Sequence, residues 1–208
     1  MRKFLLTLIL ALPALAGTAA VDSSDPARLI ETASQAMLAE LDAHRAEFRA
    51  EPKKLYKVID DVLLPHFDTE YAARLVLGRY WRDATPQQRQ RFVTAFYHSL
   101  LMNYGDALID FTSDRLRVLP YNGPSNQDRA TVRTEVMRSN GEKVPVNYSL
   151  RRSDGAWKAW DVVIEGISYV KSFREDFGAE IGRNGLDAVI ARLEKDAVQR
   201  GGKASASK

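Results

Sequence analysis

The sequence predicts an α+β fold, a twisted four-stranded antiparallel meander covered by N-terminal and C-terminal helices and enclosing an apolar pocket. Three observations carry this reading. Apolar residues recur at helical spacing from about residue 25 to 111, drop to a period of two between 115 and 165, and return to helical spacing from 168 onward. Short turn-forming sequences, Ser139-Asn140-Gly141 and Ser153-Asp154-Gly155, separate the period-two segments as hairpin connections do. Those segments also carry their apolar residues on one face only.

The elements follow in order. Asp25-Pro26 supplies a capping carboxylate and a first-turn proline, and Leu29, Ile30, Ala33, Met37 and Leu41 follow at helical spacing to about Arg49. Leu55, Ile59 and Leu63 mark a second helix that stops at Pro65. Asp68 caps a third, with Gly78 at its C-terminal end and Tyr80-Trp81 as an aromatic connector. Thr85-Pro86-Gln87-Gln88 combines an N-cap, a proline and a capping-box glutamine. The helix it starts is expected to reach about Phe111, with Phe92, Phe96, Leu100, Tyr104 and Leu108 in one core-facing stripe. Strands are expected over 115–121, 129–138, 144–152 and 156–165, and closing helices over Ser168 to about Gly182 and Asn184 to about Gln199.

One face of the meander would carry Leu116, Val118, Val132, Val136, Val144 and Val146 from its first strands. Tyr148, Leu150, Trp160, Val162 and Ile164 complete it, and the opposite face is mostly Arg, Glu, Thr, Asn and Ser. The stretch from Trp157 to Phe177 turns directly from strand into helix, with Gly166 breaking the run and Ser168 placed as a cap. An apolar floor of this size needs a cover. Leu63, Phe67, Phe96, Leu100 and Tyr104 are the helical candidates to face it across a pocket.

Length and composition set the frame. The 208 residues, 45% hydrophobic and 27% charged, suit one globular domain. Arg2 and Lys3, the apolar run Phe4 to Leu12 and the small residues Ala14-Leu15-Ala16 read as an export signal over residues 1–20, cleaved after Ala16 or Ala20. A single α+β domain over 21–200 and a disordered tail over 201–208 complete the division. The chain has no cysteine, so an exported protein of this kind relies on its core and has no lipidated cysteine as anchor. The formal net charge of +3, two units of it from Arg2 and Lys3, is too small to argue for nucleic acid.

Motifs for catalysis or metal binding are missing from the sequence. His44, His66 and His98 form no metal-ligand spacing, and there is no phosphate loop, nucleophile elbow or Cys-His pair. Asp161 and Glu165 share a strand face but lie roughly 13 Å apart at strand rise. Asp161 is expected to be a structural hydrogen-bond acceptor or ion-pair partner. Arg79, Arg82, Arg89, Arg91, Arg115, Arg117, Arg151 and Arg152 form solvated faces, among which Arg89 and Arg151 are candidates for docking.

The residues Leu64-Pro65, Asp68, Leu77-Gly78, Tyr80-Trp81-Arg82, Ala84-Thr85, Gln88-Arg89, Phe92, Phe96, Leu100 and Tyr104 resemble the first half of the MlaC, or toluene-tolerance, family. Trp157, Asp161-Val162, Glu165-Gly166, Ser168, Val170, Arg174, Phe177 and Gly185 resemble its second half. Trp160 and Phe173 depart from the tyrosines of the family pattern, and Tyr169 from an aliphatic residue. The resemblance implies a monomeric, soluble periplasmic phospholipid carrier that maintains outer-membrane lipid asymmetry. Acyl chains would lie between sheet and helices, with Val170 joining the lining residues above. It implies an outer-membrane lipoprotein complex and an inner-membrane ABC transporter with a lipid-binding ring domain as partners, phospholipid as ligand, and neither cofactor nor catalysis. Two acyl chains left in water would cost on the order of 20 kcal/mol, so a carrier must bury both. The residues alone also admit an enzyme on a cone-shaped α+β fold with Asp161 as general base, or a ligand-free periplasmic adaptor using its arginine surface.

Overall fold

The computed structural model describes the backbone of residues 20–112, 115–123, 127–138 and 140–206, and side chains as far as 199. The expected export signal lies outside the described residues but for Ala20, and Ser207-Lys208 also lie outside them.

Helix α1 (Pro26–Ala50) starts where Asp25 accepts hydrogen bonds from the Ala27 and Arg28 amides. Helix α2 (Pro52–Val62) runs into a 3-10 turn, Leu64–His66, which leads to α3 (Thr69–Leu77). The Tyr80-Trp81 connector is itself one helical turn, α4 (Tyr80–Asp83). Helix α5 (Pro86–Tyr104) has the expected capping box, with Thr85 Oγ1 accepting from the Gln88 amide and Gln88 Oε1 from the Thr85 amide. It ends earlier than expected. At Gly105 the chain tightens into a 3-10 segment, Gly105–Asp110, because glycine favours no helix and Asp106 turns to the Tyr56 hydroxyl, which donates to it at 2.9 Å.

Strands β1 (Leu116–Val118), β2 (Arg129–Met137), β3 (Lys143–Ser153) and β4 (Ala156–Ile164) form the expected meander. A fifth strand, β5 (Ile167–Ser168), makes the sheet five-stranded in the order β1-β2-β3-β4-β5, antiparallel throughout. The loop before β4, Asp154 (φ 53°) and Gly155 (φ 82°), and the loop before β5, Glu165 (φ 51°) and Gly166 (φ 84°), both hold two residues at positive φ. That geometry matches the twist of the strands it joins. Helix α6 (Tyr169–Asn184) follows β5 without a break, and α7 (Leu186–Ala206) continues past the end expected near Gln199. Within the tail expected to be disordered over 201–208, the described backbone is helical as far as Ala206.

Three cores hold these elements together. The first joins α3, α5, α6 and α7 around Phe92, Phe96, Phe177, Ile181, Ile190 and Leu193. The second joins α1, α2 and the end of α5 through Leu41, Phe48, Leu55, Ile59 and Leu101. The third lies where the start of α1 covers the sheet, with Leu29 and Ile30 against Ala130, Val132, Leu150, Trp157 and Ala159. A domain of this size usually has one contiguous core. Here α1 is shared by two of the three.

Candidate functional site

The apolar sheet face is built as its alternation requires, with one exception. Register pairs Val136 with Val144, Thr134 with Val146 and Val132 with Tyr148, then Val146 with Ile164 and Tyr148 with Val162. Directly opposed residues point to the same side, so these side chains form one floor. Beyond Tyr148 the register shifts: Ser149 faces Asp161, but Leu150 faces Ala159. Trp160 is the extra residue of a β-bulge. The expectation that Trp160 lies on the floor with Val162 and Ile164 is therefore corrected. Trp157 and Ala159 share the floor with Leu150, and Trp160 packs edge-on against Tyr71 of α3 at 5.6 Å. The signal was present in the sequence as a change of parity, apolar at 157 and 159 and then at 162 and 164.

The bulged side is where α3 and α6 are fastened. Phe67 bridges to Ala159 in parallel, the Asp68 amide donates to the Ala159 carbonyl at 2.7 Å, and the Asp68 carboxylate is bound by Arg151. Arg151 lies over the Tyr71 ring at 4.5 Å, and Arg129 donates to the Tyr71 hydroxyl at 2.9 Å. Asp161, buried at 4% exposure, accepts from the Ser168 hydroxyl at 2.6 Å and from the Val170 amide at 2.9 Å. Both of its oxygens serve the first turn of α6, the structural acceptor role expected of it. Glu165 is exposed and pairs with Arg138 at 3.5 Å. Arg89 donates to the Trp81 and Arg82 carbonyls. Both arginines singled out for docking are thus engaged within the chain.

The expected lining residues fall into distinct places. Val132 (0% exposed) and Phe96 (4%) are interior members of the third and first cores. Phe67, Val118 and Tyr148 lie half-buried at the margin of the third core, Leu63 at that of the second, Leu100 and Val170 at that of the first. Val146, Val162 and Ile164 belong to none of the three, like their neighbours Val136 and Val144. Val144 and Val146 are buried, whereas Val136, Val162 and Ile164 stay half-buried. Tyr104 is exposed and stacks edge-on with Tyr169 at 5.6 Å, which continues through Phe173 to Phe96.

Connectivity draws these margins together. Val170 comes two residues after β5, whose Ile167 pairs with Ile164, and Leu63 precedes the Phe67 that sits beside β4. Val136, Val144, Val146, Val162 and Ile164 thus form a half-floor outside the three cores, its β3 valines buried and the rest half-buried. Two surface clefts lie elsewhere: one of about 410 Å³ at Arg129, Arg151 and Arg152, the other of about 610 Å³ between α2, α5 and α7. Neither takes in a residue of the expected lining.

Three side chains are shifted toward their neutral forms. Burial raises the pKa of the Tyr148 hydroxyl, and burial with Tyr169 and Asp176 nearby raises that of Tyr104. His66, at the end of the 3-10 turn, is lowered by burial and then by Lys158. Among the described residues no group of His, Asp or Glu could hold a metal ion. No described helix is long and apolar enough to cross a membrane.

Comparison with known proteins places this geometry in context. The model of the MlaC protein family matches residues 31–195. Toluene tolerance protein ttg2D of Pseudomonas putida is 31% identical over 188 residues, 90% of this chain and 85% of that protein. The intermembrane phospholipid transport system binding protein MlaC of Haemophilus influenzae is 23% identical over 183 residues, 86% of each. A phospholipid-binding protein from Ralstonia solanacearum, solved in complex with a phospholipid, has the same fold, with a TM-score of 0.75 and 24% identity. The match covers 82% of this chain and 96% of that one.

Proposed function

From the premise that the chain belongs to the MlaC protein family, we propose that it is a phospholipid-binding carrier that shuttles phospholipid through the periplasm between outer-membrane and inner-membrane complexes. The observation that carries this reading is the half-covered apolar floor on β2 and β4. Val136, Val162 and Ile164 are large apolar side chains in the body of a sheet, yet they remain half-buried and outside every core. A contiguous apolar surface left open in this way marks a binding site. Its chemistry selects hydrocarbon, because each methylene buried there contributes about 0.8 kcal/mol and no described charge stands on the half-floor.

The tails lie along β3 and β4, bounded by Leu63, Phe67, Leu100 and Val170, with Tyr104 at the rim. An outer-membrane lipoprotein complex would give or take the lipid on one side, and an inner-membrane ABC transporter with a lipid-binding ring domain on the other. The carrier works as a monomer, without cofactor and without bond-making chemistry. Arginines with no ion pair among the described residues, such as Arg117 and Arg133 on the polar sheet face, are better placed to meet acidic partners than Arg89 and Arg151. Organic extraction of the protein purified from cells, followed by mass spectrometry, is expected to release phospholipid in stoichiometric amount. A correctly folded protein that releases none would overturn the reading.

A further inference from the structure

On the floor, two side chains carry a hydroxyl amid aliphatic neighbours. Thr134, 1% exposed, is satisfied within the sheet: its Oγ1 donates to the Val146 carbonyl at 2.7 Å. Tyr148 is not. It stands between Val132 and Val162 in register, packs against the third core, and makes no hydrogen bond among the described residues. The fully enclosed side-chain donors without an acceptor are the Trp157 and Trp160 indole N–H groups; the Tyr148 oxygen is not one of them and so borders open space. Phenylalanine would pack as well here. A phenol with no acceptor in the chain and open space beside it turns to water when the site is empty, so a lipid that displaces that water has to supply an acceptor in its place.

The surroundings narrow that acceptor. Burial keeps the phenol neutral and able to donate. Its register partners and floor neighbours are Val132, Val146, Leu150 and Val162, with no cation among them. A phosphate or free carboxylate placed there would bury an uncompensated charge, whereas a neutral carbonyl would not. We propose that the Tyr148 hydroxyl donates a hydrogen bond to an ester carbonyl at the junction of glycerol and acyl chain, fixing how deep the tails enter; the inference rests on the carrier reading above. Tyr148 is then a depth gauge that distinguishes ester-linked from ether-linked lipid.

The test loads the protein from vesicles holding equal amounts of dioleoyl phosphatidylethanolamine and its dialkyl-ether analogue, and quantifies both bound lipids by mass spectrometry. The protein is expected to enrich the diester roughly 2- to 10-fold, the range a single net hydrogen bond supplies. Tyr148→Phe, with an unchanged urea midpoint, is expected to take both in the ratio of the mixture. Unbiased loading of the unaltered protein, or enrichment that survives in Tyr148→Phe, overturns the assignment while leaving the carrier intact. Uptake of neither lipid overturns the carrier reading and the assignment with it. The comparison of the two lipids on the unaltered protein needs no variant, so a folding defect in Tyr148→Phe cannot mask the result.

Discussion

His66 is half-buried beside Lys158, and both burial and that charge disfavour its protonated form. Its pKa in the folded chain therefore lies below the ordinary 6.5. As pH falls through about 6.5 the unfolded chain takes up a proton that the folded chain does not, so stability is lost downward from that point. Urea midpoints of the protein and of His66→Gln, followed from pH 7.5 to 5, are expected to show a steeper acid-side fall in the former. Equal slopes would mean that His66 is free in solution. Asp161 illustrates the opposite use of a buried polar group. Two donors, one on each oxygen, engage its carboxylate and tie α6 to β4. Tyr97 acts similarly between α5 and α2, where burial and the hydrogen bond to Asp60 raise its pKa and keep the phenol neutral.

Strand β4 contains two kinds of floor, separated by the bulge at Trp160. Before the bulge, Trp157 and Ala159 are sealed by α1. After it, Val162 and Ile164 are half-covered. Bulk added to the two sites should act differently. Val162→Trp is expected to destabilise the protein by less than about 1 kcal/mol while expelling bound lipid; Val132→Trp, placed inside the third core, should cost roughly 1 to 3 kcal/mol or more through overpacking. Urea unfolding combined with lipid extraction of both variants checks this. Similar destabilisation of both would mean that the half-floor is ordinary core.

At the scale of the whole molecule, the sequence shows its order of elements because local chemistry declares it. Asp25-Pro26 and Thr85-Pro86 start helices, and Asp154-Gly155 turns a hairpin by tolerating positive φ. The parity change around Trp160 is easy to overlook because strict alternation also fits 160, 162 and 164, and the pairing of Leu150 with Ala159 identifies the extra residue. Strand β5 was hidden because two residues carry no period. The engagement of Arg151 was hidden because its partner Asp68 lies 83 residues away. Half-burial of Val136, Val162 and Ile164 is the least legible feature of all, since a closed core and a lipid seat use the same valines and leucines.

The central claim, that acyl chains lie on the half-floor of β3 and β4, is tested most directly by photocrosslinking. The protein is loaded with a phospholipid carrying a diazirine in mid-chain, irradiated and mapped by peptide mass spectrometry. The account predicts adducts on the β4 segment holding Val162 and Ile164 and on the Leu63–Phe67 segment. Adducts confined to surface helices such as α7 around the exposed Val198, with none on β4, would contradict it.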